Sequence, residues 1–149
     1  MDFLLPNGSF GPVQLALSAY LAGLIWTVQC GVYPSFVLMN PDHFQRFHSR
    51  YTVHITWIVG PVMLLETALC AIWAAEAWVG SYIPSWIGFS QLALSLVALA
   101  STFFVQVPKH RDLSRGWSLE VATSLVRSNW IRTAAWTLKL LLSLWAQQY

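Results

Sequence analysis

The sequence predicts an all-α protein, an integral membrane four-helix bundle made of two parallel two-helix repeats in one domain spanning residues 1–149. Three observations carry that expectation. The chain is 56% hydrophobic and 9% charged, with a mean hydropathy of +0.54, whereas soluble domains carry about 25% charged residues. Four segments, near 13–39, 53–75, 86–107 and 125–145, each offer the roughly 20 mainly apolar residues that cross a bilayer. The pentapeptide QLALS occurs at residues 14–18 and again at 91–95, and at that offset of 77 eight of nineteen positions match between 11–29 and 88–106. The offset also pairs Gln29 with Gln106, Arg50 with Arg127 and Thr56 with Thr133. A unit that spans twice and is then duplicated gives two halves of the same orientation.

The first span follows a Pro6-Asn7-Gly8-Ser9 turn, and the residues before it lack the basic start of a cleavable signal, so the span is expected to remain as an anchor. It carries Gln29 and Tyr33 toward its end. The second is expected to begin before the bilayer, because Asn40-Pro41 supplies a cap and a first-turn proline. It brings His54 just inside the membrane and Glu66 roughly 20 Å deep at 1.5 Å per residue. Pro61 frees the carbonyl of Trp57 and predicts a kink. The third span ends on Gln106, with His110 just beyond.

The fourth span carries the most informative pattern. Asn129, Arg132, Trp136, Lys139 and Ser143 recur at spacings of three and four residues, which puts them within an arc of roughly 100° on one helical face. Ile131, Ala134, Ala135, Leu138, Leu141 and Leu142 form the other face. Lipid cannot solvate the polar seam, so the seam is expected to face other helices. Lys139 lies at about the depth of Glu66, and two readings stand: an ion pair between them, or a snorkelling Lys139 with Glu66 on helix backbone. Arg132 can hold an anion or a carbonyl oxygen inside the bundle, or reach headgroups.

Lys and Arg set the orientation. Arg46 and Arg50 lie between the first two spans, Lys109, Arg111 and Arg115 between the last two, and none lies in 76–85. The positive-inside rule then puts both basic loops in the cytoplasm and both termini on the far side, the periplasm in a bacterial inner membrane. A net charge of +2 without a basic run gives no footprint for nucleic acid. Cys30 and Cys70 form no paired motif and are expected to pack as small apolar residues. His54 is the one histidine within a span, with His43, His48 and His110 in or beside the loops. That supply does not point to a bis-histidine haem or a metal centre, and it leaves a chlorophyll-like pigment open without selecting it.

The stretches QVPKHRDLSRGW and SLVRSNWIRTAAW carry Pro108, Leu113 and an Asn129-x-x-Arg132-Thr133 motif, and the first half carries Gly31-Val32-Tyr33-Pro34-Ser35-Phe36 ahead of a short loop. In these residues the chain resembles small four-helix membrane proteins related to the fungal anthrone oxygenases. It has His110 where that group usually has asparagine. The resemblance implies oxidation of a lipophilic aromatic substrate with little cofactor. Asn129 and Arg132 are its motif residues; His54 or His110 would act as base and Arg132 with Asn129 would hold the enolate oxygen. The expected site is therefore the seam, with Gln29, Tyr33, Glu66, Gln106, His110, Trp136 and Lys139 around His54, Asn129 and Arg132. It binds a lipophilic small molecule or cofactor. The other open class is a non-catalytic accessory subunit of an electron-transfer or pigment complex, or a homo-oligomer, in which the seam docks a neighbour.

Overall fold

In a computed structural model, residues 10–79 and 84–148 are described, and among them helices joined by short turns are the only regular structure. The turn expected at Pro6–Ser9 lies outside the described residues. Four rods form the bundle. The first is α1 (Phe10–Thr27), a π-helical turn (Val28–Val32) and α2 (Tyr33–Leu38); the second is α3 (Pro41–Trp78). The third is α4 (Ser85–Ser101), a π-helical turn (Thr102–Gln106) and α5 (Val107–Arg115); the fourth is α6 (Leu119–Ala146). α1 packs on α3 and α6, and α4 packs on α3 and α6, so the rods follow one another round a four-sided bundle in which the last closes on the first.

Local chemistry explains the boundaries. The Asn40 side chain accepts from the Asp42 N–H at 2.9 Å with Pro41 in the first turn, which starts α3 well before its apolar stretch. Ser118 caps α6 by accepting from the Val121 N–H. Both π-helical turns lie just ahead of a proline, Pro34 and Pro108. Proline offers no N–H and crowds the carbonyl four residues back, and a turn widened to the five-residue spacing relieves that crowding. The Tyr33 N–H accordingly bonds Val28 O, and the Val107 N–H bonds Thr102 O. α3 runs through Pro61 as one helix, with the ring on the exposed side.

Three stretches, Gly11–Leu38, Pro41–Trp78 and Ser85–Arg115, are long and apolar enough to cross a membrane. α6 is as long as the first of these but falls short on hydropathy, because Asn129, Arg132 and Lys139 sit in its middle. Those residues are buried against the other rods, while Ile131, Leu138, Leu141 and Leu144 are exposed. The molecule is thus apolar outside and polar within: Trp57 is 75% and Phe104 80% exposed, whereas Gln14, Glu66, Gln91, Asn129 and Lys139 are sealed off. Water would favour the reverse; hydrocarbon favours this arrangement.

The apolar part of the core lies toward the α2–α5 end, around Ile25, Phe36, Phe44, Leu113, Leu125 and Trp136, with a smaller group of Trp73, Ile87 and Ala146 at the other end. At that far end Gly88 lets α4 close on α3, since a Cβ there would lie 3.1 Å from Ala74 Cα. Near the α2–α5 end, Trp117 donates to Phe36 O at 3.0 Å and Gln45 to Leu113 O at 2.9 Å, tying the loops together.

Candidate functional site

The seam of α6 faces inward along its length, with Asn129, Arg132, Trp136, Lys139 and Ser143 all buried. It meets two groups of partners.

The first group surrounds an ion pair. Lys139 Nζ lies 2.8 Å from Glu66 Oε1 with neither side chain exposed, so of the two readings the paired one is found. Ser18 and Ser95 donate to the two carboxylate oxygens at 3.2 and 3.3 Å. Lys139 also donates to Ser95 Oγ and to Cys70 Sγ. Gln14 donates to Cys70 Sγ at 3.0 Å; Gln91 donates to Ser143 Oγ at 2.9 Å and to Lys139 O at 3.2 Å. Ser143 closes the ring by donating to Ser18 at 3.2 Å. Cys70 therefore acts as an acceptor here, not as the small apolar residue expected of it, because α3 turns it toward Lys139. Each rod contributes, and the charges cancel. The arrangement is suited to setting the register of the bundle, since a buried pair holds only when its geometry and hydrogen bonds are both good.

The second group surrounds Arg132, and here the chemistry is open. Arg132 is 7% exposed. Its Nη1 donates to Asn129 Oδ1 at 3.3 Å, Asn129 donates to Gln29 Oε1 at 2.8 Å, and Gln29 donates to Val126 O at 3.3 Å. The guanidinium stands 5.0 Å above the Trp136 ring, a cation–π contact. No carboxylate answers it: among the described residues Glu66 is the single buried acid, and Lys139 holds it. Arg132 Nε and Trp136 Nε1 have no hydrogen-bond partner among the described residues; the Tyr51 hydroxyl makes no bond of ordinary geometry but is turned to the Tyr33 oxygen, which also faces the Arg132 guanidinium. Arg132, Trp136 and Tyr51 line one cavity of about 20 Å³, together with Leu21, Leu24, Ile25, Val28, Tyr33, Ile55 and Val59. That volume suits a single oxygen-sized group. Leu24 and Ile55 are only partly buried, so the cavity comes nearest the surface on the side where α1 meets α3.

Tyr33 leads away from this cavity into a hydrogen-bonded row. Its hydroxyl lies 3.0 Å from His110 Nε2, His110 Nδ1 lies 3.0 Å from His48 Nε2, and His48 Nδ1 lies 3.4 Å from Ser114 Oγ. The rings are held by aromatic neighbours, Phe44 stacking on His48 at 5.0 Å and Phe36 edge-on to both histidines. Gln106, the counterpart of Gln29 in the sequence pairing, instead donates to Ser128 at 3.1 Å, and Lys109 donates to Ser124.

The structure thus brings Gln29, Asn129, Arg132 and Trp136 together, joins Tyr33 to His110, and places Glu66 with Lys139 in a separate cluster. It does not bring His54 to either group. His54 is exposed, and its Nδ1 meets only Arg50 O of its own helix at 2.7 Å. The reason is helical phase. Residues 54 and 66 are twelve apart, about 120° round the helix, whereas 48 and 66 are eighteen apart, five full turns. His48, assigned by its sequence position to the loop region, is the α3 histidine that faces inward. Tyr51, Ile55 and Val59 follow His48 on that face, so the Asn40-Pro41 start of α3 together with this spacing was the available signal for His48 and Tyr51. Among the described residues no group of histidine, cysteine and acidic side chains could hold a metal.

No family model, curated protein or solved structure matches the chain.

Proposed function

We propose that the protein is a membrane-embedded binding protein for a lipophilic molecule whose oxygen head, a carbonyl or a deprotonated oxygen, is held by Arg132. The observation that carries this reading is the convergence of two unanswered donors, Arg132 Nε and Trp136 Nε1, on one small cavity that the Tyr33 and Tyr51 side chains also line. Leaving such groups without an acceptor costs about 1–3 kcal/mol each, and an acceptor oxygen recovers that cost. The cavity admits the head alone, and the apolar remainder of the ligand passes out where α1 meets α3 into the surrounding lipid. In this reading α6 is the fourth span, solvated on its polar face by the bundle, and the basic loops face the cytoplasm of a bacterial inner membrane. The two halves are a duplication, as the sequence pairing suggests. The oxygenase-like activity implied by the resemblance uses the same head-group site, with Asn129 orienting Arg132.

The test is to extract wild type and Arg132→Met from their own membrane with mild detergent and identify what accompanies each by mass spectrometry. A lipophilic, oxygen-bearing species present with wild type and depleted about tenfold or more in the variant, equivalent to 1.4 kcal/mol or more, supports the proposal. Equal amounts in both, or a stoichiometric protein partner with no small molecule, reject it, the latter in favour of the accessory-subunit class.

A further inference from the structure

We infer that Tyr33, His110, His48 and Ser114 form a proton relay between the Arg132 cavity and the water-facing end of the bundle, and that the ligand is a weak lipophilic acid, a phenol or enol, held as its anion. This rests on the head-group site proposed above and adds its chemistry.

The direction of every hydrogen in the row follows from one end. Ser114 donates to His110 O at 2.8 Å, a separation that two oxygens do not keep without a hydrogen between them. Its oxygen therefore accepts from His48, which puts the His48 hydrogen on Nδ1 and leaves Nε2 as acceptor. His110 then donates from Nδ1 and accepts at Nε2, and its donor there is the Tyr33 hydroxyl. Tyr33, His110 and His48 thus all point their hydrogens the same way, from the cavity toward Ser114. Tyr33 lines the cavity beside Arg132, and Ser114 is exposed. A row of this kind, buried at one end and exposed at the other, is more than packing requires, because the buried His48 and half-buried His110 rings could be replaced by aromatic residues like those that already surround them.

The ligand O–H gives its proton to Tyr33 Oη as Tyr33 gives its own to His110 Nε2. His110 passes the Nδ1 hydrogen to His48 Nε2, and His48 passes its Nδ1 hydrogen to Ser114 Oγ as Ser114 gives its own hydrogen, turned away from His110 O, to water. One proton leaves the ligand and one reaches water; no bond other than these O–H and N–H bonds changes. The ligand is left as an oxyanion facing the guanidinium of Arg132, for which no described residue supplies a counter-ion. Every hydrogen in the row now points toward the cavity, so the same row can return a proton. The titratable and charged groups facing the row are Tyr33 from α2, His48 and Tyr51 from α3, His110 from α5 and Arg132 from α6. The Glu66–Lys139 pair belongs to the other cluster.

An alkyl-substituted para-nitrophenol is a suitable probe, since its phenolate is yellow and its phenol colourless. It is mixed with the intact protein in uncharged detergent, with a water-soluble pH dye reporting the released proton. Wild type is expected to bind it yellow and to release one proton per molecule bound. His110→Phe and His48→Phe, which fit among Phe36 and Phe44, are expected to bind the probe but to release the proton about 100-fold more slowly, the scale of a lost general acid–base group. The wild type alone supplies a second readout. Nitrogen-15 resonances should show both His48 and His110 carrying hydrogen on Nδ1 without the probe and on Nε2 with it. Proton release at the wild-type rate in both variants, or ring hydrogens that do not change places, overturns the relay while leaving the head-group site standing. A wild type that fails to bind the probe, or binds it colourless, overturns the assignment of the ligand as an acid held in its anionic form. Failure of Arg132→Met to weaken binding overturns the site itself.

Discussion

Replacing Lys139 with methionine should be among the most damaging single changes on α6. Methionine keeps the length and apolar stem but removes the ammonium group that lies 2.8 Å from Glu66 Oε1 and also donates to Ser95 and Cys70. Neither partner of the pair is exposed, so water cannot take the place of the lost charge. Glu66 retains the two serine hydroxyls at 3.2 and 3.3 Å, but its counter-charge is gone. Breaking a buried pair from one side costs about 3–5 kcal/mol, and for a chain of this size that corresponds to a fall in Tm of roughly 10 °C. The double variant Glu66→Gln, Lys139→Met removes both charges and should recover most of the loss, since replacing a whole buried pair is often neutral. Thermal unfolding in one detergent, completed as a double-mutant cycle, measures the coupling directly. A Lys139→Met variant as stable as wild type, or a double variant that falls by the sum of its two singles, refutes the reasoning that the pair is coupled and sealed from water.

Tyr51→Phe removes a hydroxyl that makes no hydrogen bond of ordinary geometry and is turned to Tyr33; the ligand-free protein should change in stability by less than about 1 kcal/mol while affinity for the probe falls, read by thermal shift and titration on one sample. Gly88→Val should cost about 1–3 kcal/mol, because the new side chain meets the backbone of α3 at Ala74 and Trp73; a shift of Tm in the same detergent checks it. His54→Ala, on the exposed face of α3, should change stability by less than about 0.5 kcal/mol and leave probe binding and proton release untouched. Loss of either would return His54 to the site.

The sequence disclosed faces better than neighbours. The inward face of α6 was legible because three- and four-residue spacing turns directly into direction round a helix, and a polar stripe in an apolar segment has few places to go. Glu66 and Lys139 could be matched in depth by counting rise per residue, but pairing and snorkelling have the same depth, so only the packing of α3 on the rest of the bundle separates them. Depth also misled: it selected His54 for lying within the apolar stretch of α3, when the angle round the helix selects His48. Tyr51 and Cys70 were missed for a related reason. A tyrosine near a basic loop and a lone cysteine look ordinary until the opposing helix is known to bring Arg132 or Lys139 against them. The row from Tyr33 to Ser114 joins residues from α2, α3 and α5, and no spacing within one segment encodes it.

The central claim is that the unanswered donors around Arg132 exist to hold an oxygen. An experimental structure of the protein purified from its own membrane tests this most directly. The account predicts an oxygen of a small molecule at about 2.7–3.2 Å from Arg132 Nε, shared with Trp136 Nε1 or Tyr51 Oη, and an apolar body emerging between α1 and α3. A guanidinium turned out to headgroups, with Leu24 and Ile55 closing over a cavity that holds nothing, would contradict it.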